Sequence, residues 1–134
     1  MPAHLQAVYY RAANGSQPVD AFIEGLPVKH QVALDNQIAR LNLLTPKRPH
    51  LPFPHSSQIE GELRELRCHC GRVLYRILYR RSANLIVLLH AFRKDTGKVP
   101  EAEIEIARRR WEDFRARMDA SRRVPPRAAG HDAP

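Results

Sequence analysis

The sequence predicts an α+β fold: a small antiparallel sheet covered by an N-terminal αα-hairpin, with one more helix at the C-terminal end. Two observations carry this. Apolar residues recur at helical spacing before and after a central block. Within that block they alternate with period two, in runs separated by short turn signals.

Taken in order, Gln6–Arg11 reads as a strand through Val8, Tyr9 and Tyr10, and Asn14-Gly15-Ser16 turns the chain. Pro18 opens a helix, where its missing N–H costs nothing. Val19, Phe22, Ile23 and Leu26 form its apolar face, and Gly25 and Pro27 stop it. Val28 to Leu44 repeats the pattern with Leu34, Ile38 and Leu41, so the two helices form a hairpin with a very short connection. Thr45–Ser57 holds Pro46, Pro49, Pro52 and Pro54 and is expected to be a stiff, irregular basic loop. Three strands follow as a meander: Glu62–Arg67, Arg72–Arg80 and the nearly continuous apolar Leu85–Phe92. Arg93–Val99 is a basic loop. Pro100 starts a helix reaching about Met118, with Ile104, Ala107, Trp111, Phe114 and Met118 on one stripe. Residues 1–119 make one domain, and 120–134, rich in Pro, Ala and Arg, are expected to be a disordered tail.

The net charge is +8 with a pI near 10.2. Its placement says more than its size. Between Lys47 and Lys98 there are 11 basic and 4 acidic residues, whereas the flanking segments nearly balance at 3 against 3 and 8 against 7. A polyanionic partner such as nucleic acid accounts for such a concentration better than general solubility does. No apolar run approaches the ~20 residues of a membrane span, and Met1–Arg11 lacks the apolar core of a signal peptide, so a cytoplasmic protein is expected. Cys68, His69 and Cys70 do not suggest a metal site, because alternate side chains of a strand face opposite ways. No cofactor is indicated.

On the expected strand 72–80, Arg72, Arg76 and Arg80 share one face, the other face being apolar and covered by the hairpin. Arg64 and Arg67 come from the preceding strand, and His90, Arg93 and Lys94 from the end of the next. These positions are expected to converge on one concave surface. Guanidinium forks grip phosphate oxygens, and a histidine exchanges protons near neutral pH. Together they suit metal-independent RNA transesterification, in which the 2′-OH attacks the adjacent phosphate.

Three strings, from Leu51 to Arg67, from Tyr75 to Ile77 and from Leu88 to Ile104, resemble in order and spacing the phage-derived Gp49-like branch of the RelE/HigB toxins. The resemblance implies a RelE-like microdomain acting as a ribosome-dependent mRNA endoribonuclease that inhibits translation. Its partners would be a cognate antitoxin, often a helix-turn-helix protein like HigA, together with the 70S ribosome and mRNA. Operator DNA would be met only through the antitoxin, and no membrane is involved. On this pattern Arg67, Arg76, His90 and Lys94 are the catalytic set. Lys47, Arg48, Arg64, Arg72, Arg80, Arg93 and Lys98 contact RNA or ribosome.

The sequence also departs from the pattern. Better-known RelE members carry lysines where this chain has Leu63 and Glu65, and the late tyrosine of some members has no counterpart after Tyr79. That leaves the acid/base assignment open among Glu65, His90 and Lys94, and His90 takes the role only by elimination. Glu65 either pairs with Arg67 or serves as a base; flanking arginines would hold it ionised, which favours pairing. The superfamily also contains ParE-like gyrase poisons, and a non-enzymatic nucleic-acid-binding module or an inactive prophage copy would carry the same basic surface.

Overall fold

The computed structural model describes residues 4–94, 97–119 and 130–132. The chain runs β1 (Gln6–Tyr9), α1 (Pro18–Glu24), α2 (Val28–Leu41), β2 (Ser56–Glu60), β3 (Leu63–Cys70), β4 (Val73–Ser82), β5 (Leu85–Lys94) and α3 (Glu101–Met118). The fold is the expected α+β arrangement, consistent with a RelE-like microdomain. Two features of the sheet differ from expectation. A fifth strand, β2, forms where the proline-dense loop was expected to run on into Ser57. Its prolines end at Pro54, and from Ser56 onward every residue has an N–H to offer β3. The sheet is also mixed, with order β1-β5-β4-β3-β2, because β1 lies parallel to β5. The hairpin α1–α2 and the meander separate the two in sequence, which gives the long connection that parallel neighbours need.

The sheet has a core on each face. On one side α1 and α2 pack Val19, Ile23, Leu34, Ile38 and Leu41 against Leu66, Cys68, Tyr75, Ile77, Tyr79, Ile86 and Leu88. The hairpin thus covers the Val73–Tyr79 face as its alternation requires. On the other side α3 packs Ile104, Ala107, Trp111 and Phe114 against Leu63, Leu78, Val87, Leu89 and Phe92. This corrects the expectation that the second face stays open. Leu74 and Leu78 interrupt the arginines of β4, and the stripe of α3 needs an apolar partner of its own. Only part of that face remains uncovered.

Between Leu78 and Tyr79 the register of β4 with β5 slips: Tyr79 faces Leu88, but Leu78 faces His90. Leu89 is the extra residue. The slip puts His90, Phe92 and Lys94 on the α3 face beside Leu78, Arg76 and Leu74. At the β1 edge, Arg11 N–H donates to the Gly130 carbonyl and Tyr9 N–H to Asp132 Oδ1. The remainder of the tail expected to be disordered, 120–129 and 133–134, lies outside the described residues. No helix among the described residues is long and apolar enough to cross a membrane.

Candidate nucleic-acid interface

The pairing register lays out the α3 face of the sheet as three rows. Glu65, Leu78 and His90 form one, Arg67, Arg76 and Phe92 the next, and His69, Leu74 and Lys94 the third. The four residues of the expected catalytic set therefore share one face. Arg67 and Arg76 are direct cross-strand neighbours, and two like charges so placed would repel. Glu65 resolves this. Its Oε1 lies 2.7 Å from Arg67 Nε and 2.9 Å from Arg76 Nε, with the carboxylate side chain only 4% exposed. The orienting ion pair weighed for Glu65 is thus present and holds two arginines rather than one.

The two guanidiniums are held differently. Arg67 is partly exposed, and within the described residues only its Nε is hydrogen-bonded, so its terminal nitrogens point outward unspent. Arg76 is buried, and among the described residues neither its Nε nor its Nη1 makes a hydrogen bond, so Glu65 holds it as an ion pair. Burial pushes its pKa down from the ordinary arginine value, against the pull of Glu65. Arg67 and Glu65 line an open cleft of about 620 Å³, together with Ser57, Gln58 and Ile59 of β2 and Lys98, Val99 and Ile104 on the opposite wall. Lys98 is exposed at this wall, and the Nζ of Lys94 donates to its carbonyl at 2.8 Å, tying β5 to the loop. An arginine fork on the floor and a lysine on the wall are suited to a phosphate group.

His90 sits under α3 with both ring nitrogens engaged. Arg110 Nη1 donates to Nδ1 at 3.2 Å, so Nε2 carries the proton and donates it to Glu103. Phe92 stacks on the ring at 5.5 Å. Burial lowers the His90 pKa, and Arg110 lowers it further, against Glu103. The folded state therefore favours neutral His90 more than the unfolded chain does. Its contribution to stability is fully present above the ordinary histidine pKa of about 6.5 and is lost as pH falls through the lower folded value. Thermal melts between pH 7.5 and 5 are expected to show His90→Gln losing less stability on acidification than the wild type. Parallel pH profiles would refute this assignment.

The remaining expected contacts divide, contrary to a single converging surface. Parity along each strand is the reason. Arg64 is three residues from Arg67 and faces the hairpin side, where its Nε donates to Ser56 Oγ at 3.2 Å. Arg93 is next to Lys94, faces Tyr75 in register and is exposed on that same side. Lys47 and Arg48 are exposed in the loop that carries Leu44 and Leu51 into the hairpin-side core. Arg80 lies over the Trp111 ring at 4.6 Å and pairs with Glu62 at 3.1 Å, so it braces α3. Arg72 is exposed at the β3–β4 turn. Of the seven, Lys98 alone lines the cleft.

Reading the sequence for catalysis overlooked two residues. His69, considered only as a metal ligand, is exposed two positions from Arg67 on the same face, while Cys68 is buried in the opposite core. Phe53, hidden among prolines, stands with the Arg67 guanidinium 5.0 Å from its ring centroid. Both were accessible: His69 by parity with Arg67, and Phe53 as an aromatic in a basic loop.

The fold and site define a small basic α+β protein with an arginine-floored cleft on a half-covered sheet. Residues 21–112 match the family described as Phage derived protein Gp49-like (DUF891), and the chain belongs to that family, a toxin-like one related to RelE and HigB. No curated protein matches the chain.

Proposed function

We propose that the protein is the toxin of a type II toxin–antitoxin pair, a ribosome-dependent endoribonuclease that cuts mRNA and so inhibits translation. The observation that carries this is the pair Arg67–Arg76, fixed side by side on Glu65, with Arg67 and Glu65 lining an open cleft that Lys98 also lines. Family membership supplies the toxin context.

In this reading the 2′-OH attacks the adjacent phosphate, the 5′-oxygen leaves, and a cyclic phosphate results. The reaction needs positive charge where the phosphorane oxygens gain it, and groups to take and return a proton. The outward nitrogens of Arg67 and the Nζ of Lys98 grip the phosphate, and Arg76 supports Arg67 from beneath. His90, with both nitrogens held, fixes the strand end and α3 around Lys94. His69 is the exposed imidazole on this face and is the group we assign to proton exchange. Lys47, Arg48, Arg64, Arg72 and Arg93 add positive potential toward ribosomal RNA. The antitoxin, a helix-turn-helix repressor, would silence the toxin by covering the cleft.

The test is a purified translation reaction in which new 5′ ends on mRNA are mapped with and without ribosomes. Cuts that require ribosomes and follow the reading frame are expected. Intact mRNA from a folded preparation would overturn the reading and point to gyrase, to be tried by DNA supercoiling. Stoichiometric RNA binding with a steep salt dependence and no cleavage would point to a binding module.

A further inference from the structure

We propose that Phe53 is a stacking platform for one base of a single-stranded RNA, placed beside the arginine that grips the neighbouring phosphate. This rests on the nucleic-acid reading above and adds a base-contacting residue to it.

An exposed apolar side chain needs no explanation by itself. Phe53 is 71% exposed, as are Leu43 and Val28 to similar degrees, and the guanidinium of Arg67, a residue of the cleft, lies 5.0 Å from the Phe53 ring centroid. The segment carrying it is anchored on both sides. Leu51 is buried in the hairpin-side core, and the His55 carbonyl accepts the Arg67 N–H at 2.8 Å. The His55 ring is held in turn by Arg40 at 3.1 Å and Gln37 at 3.3 Å. Pro52 and Pro54 restrict the backbone on either side of the ring. The phenyl group is thus presented on a braced loop.

The Nε of Arg67 is committed to Glu65 at 2.7 Å, which holds the guanidinium where it stands, 5.0 Å from the ring centroid. One side of the phenyl meets the guanidinium and the rest faces solvent. A base laid on the open face continues the stack of ring and guanidinium, and its phosphate lies on the side where Arg67 offers its outward nitrogens. Stacking of this kind tolerates any base, so Phe53 supplies affinity and register without reading sequence.

The experiment uses the full chain and a short single-stranded RNA containing 2-aminopurine, whose fluorescence is quenched on stacking. Fluorescence anisotropy of an end label reports binding independently. With the wild type at low salt, binding and quenching are expected together. Phe53→Ala should bind about tenfold more weakly and, at saturation, leave 2-aminopurine unquenched, while Phe53→Trp restores both. Phe53 is exposed, so Phe53→Ala is expected to keep the fold, which circular dichroism checks. RNA bound with equal quenching by wild type and Phe53→Ala would overturn the platform and leave the nucleic-acid reading standing. RNA that the wild type fails to bind would overturn the platform, and the nucleic-acid reading would then stand or fall on the ribosome-dependent cleavage test alone.

Discussion

Arg76→Ala is expected to abolish growth arrest on induction and to lower mRNA cleavage on the ribosome at least about a hundredfold, the usual cost of one charge-stabilising donor. Arg76 is buried and one strand from Arg67, and the two share Glu65 Oε1. Removing it deletes the charge beneath the cleft floor and frees the Glu65 carboxylate to swing wholly onto Arg67. The activating arginine would then be neutralised by the same group that positions it. Stability should fall less than for an ordinary broken buried pair, roughly 2 kcal/mol, because Glu65 keeps one partner. Thermal melting and circular dichroism establish that the variant is folded. Arg76→Lys keeps charge but loses the planar fork, and is expected to retain partial toxicity. Undiminished arrest by a folded, well-expressed Arg76→Ala would remove Arg76 from the site.

The structure shows which kinds of information the sequence carries openly. The stripes Val19–Ile23, Leu34–Ile38–Leu41 and Ile104–Ala107–Trp111–Phe114 are all buried, as their spacing demands, because a helix face is a local property. The alternation of β4 places Tyr75, Ile77 and Tyr79 under the hairpin for the same reason. What was not legible depends on partners distant in sequence. β2 exists because β3 offers it a ladder, and β1 runs parallel to β5 because the hairpin spans the gap. That α3 closes over Leu78 and Leu89 could not be read from β4 or β5 alone. The site shows the same division. The separation of Arg64 from Arg67 was readable by counting residues. The clasp on His90 was not, since Glu103 and Arg110 come from a helix whose docking is tertiary.

Glu65 decides between two descriptions of the site, and its replacement is expected to have the largest effect on stability. A buried carboxylate between two arginines does two things: it offsets the cost of placing Arg76 in the interior, and it aims Arg67. Glu65→Ala leaves a buried guanidinium without its counter-ion beside a second positive charge, and should cost about 3 kcal/mol or more in thermal or urea unfolding. Glu65→Gln is the discriminating variant. If Glu65 is a brace, glutamine keeps one acceptor but loses the charge, so stability and cleavage fall together. If Glu65 is instead the general base, Glu65→Gln should remain nearly as stable as the wild type yet lose cleavage by two orders of magnitude or more. The geometry favours the brace, since Oε1 is already paired with both arginines. A stable but inactive Glu65→Gln would reverse that assignment and return the proton-transfer role from His69 to Glu65.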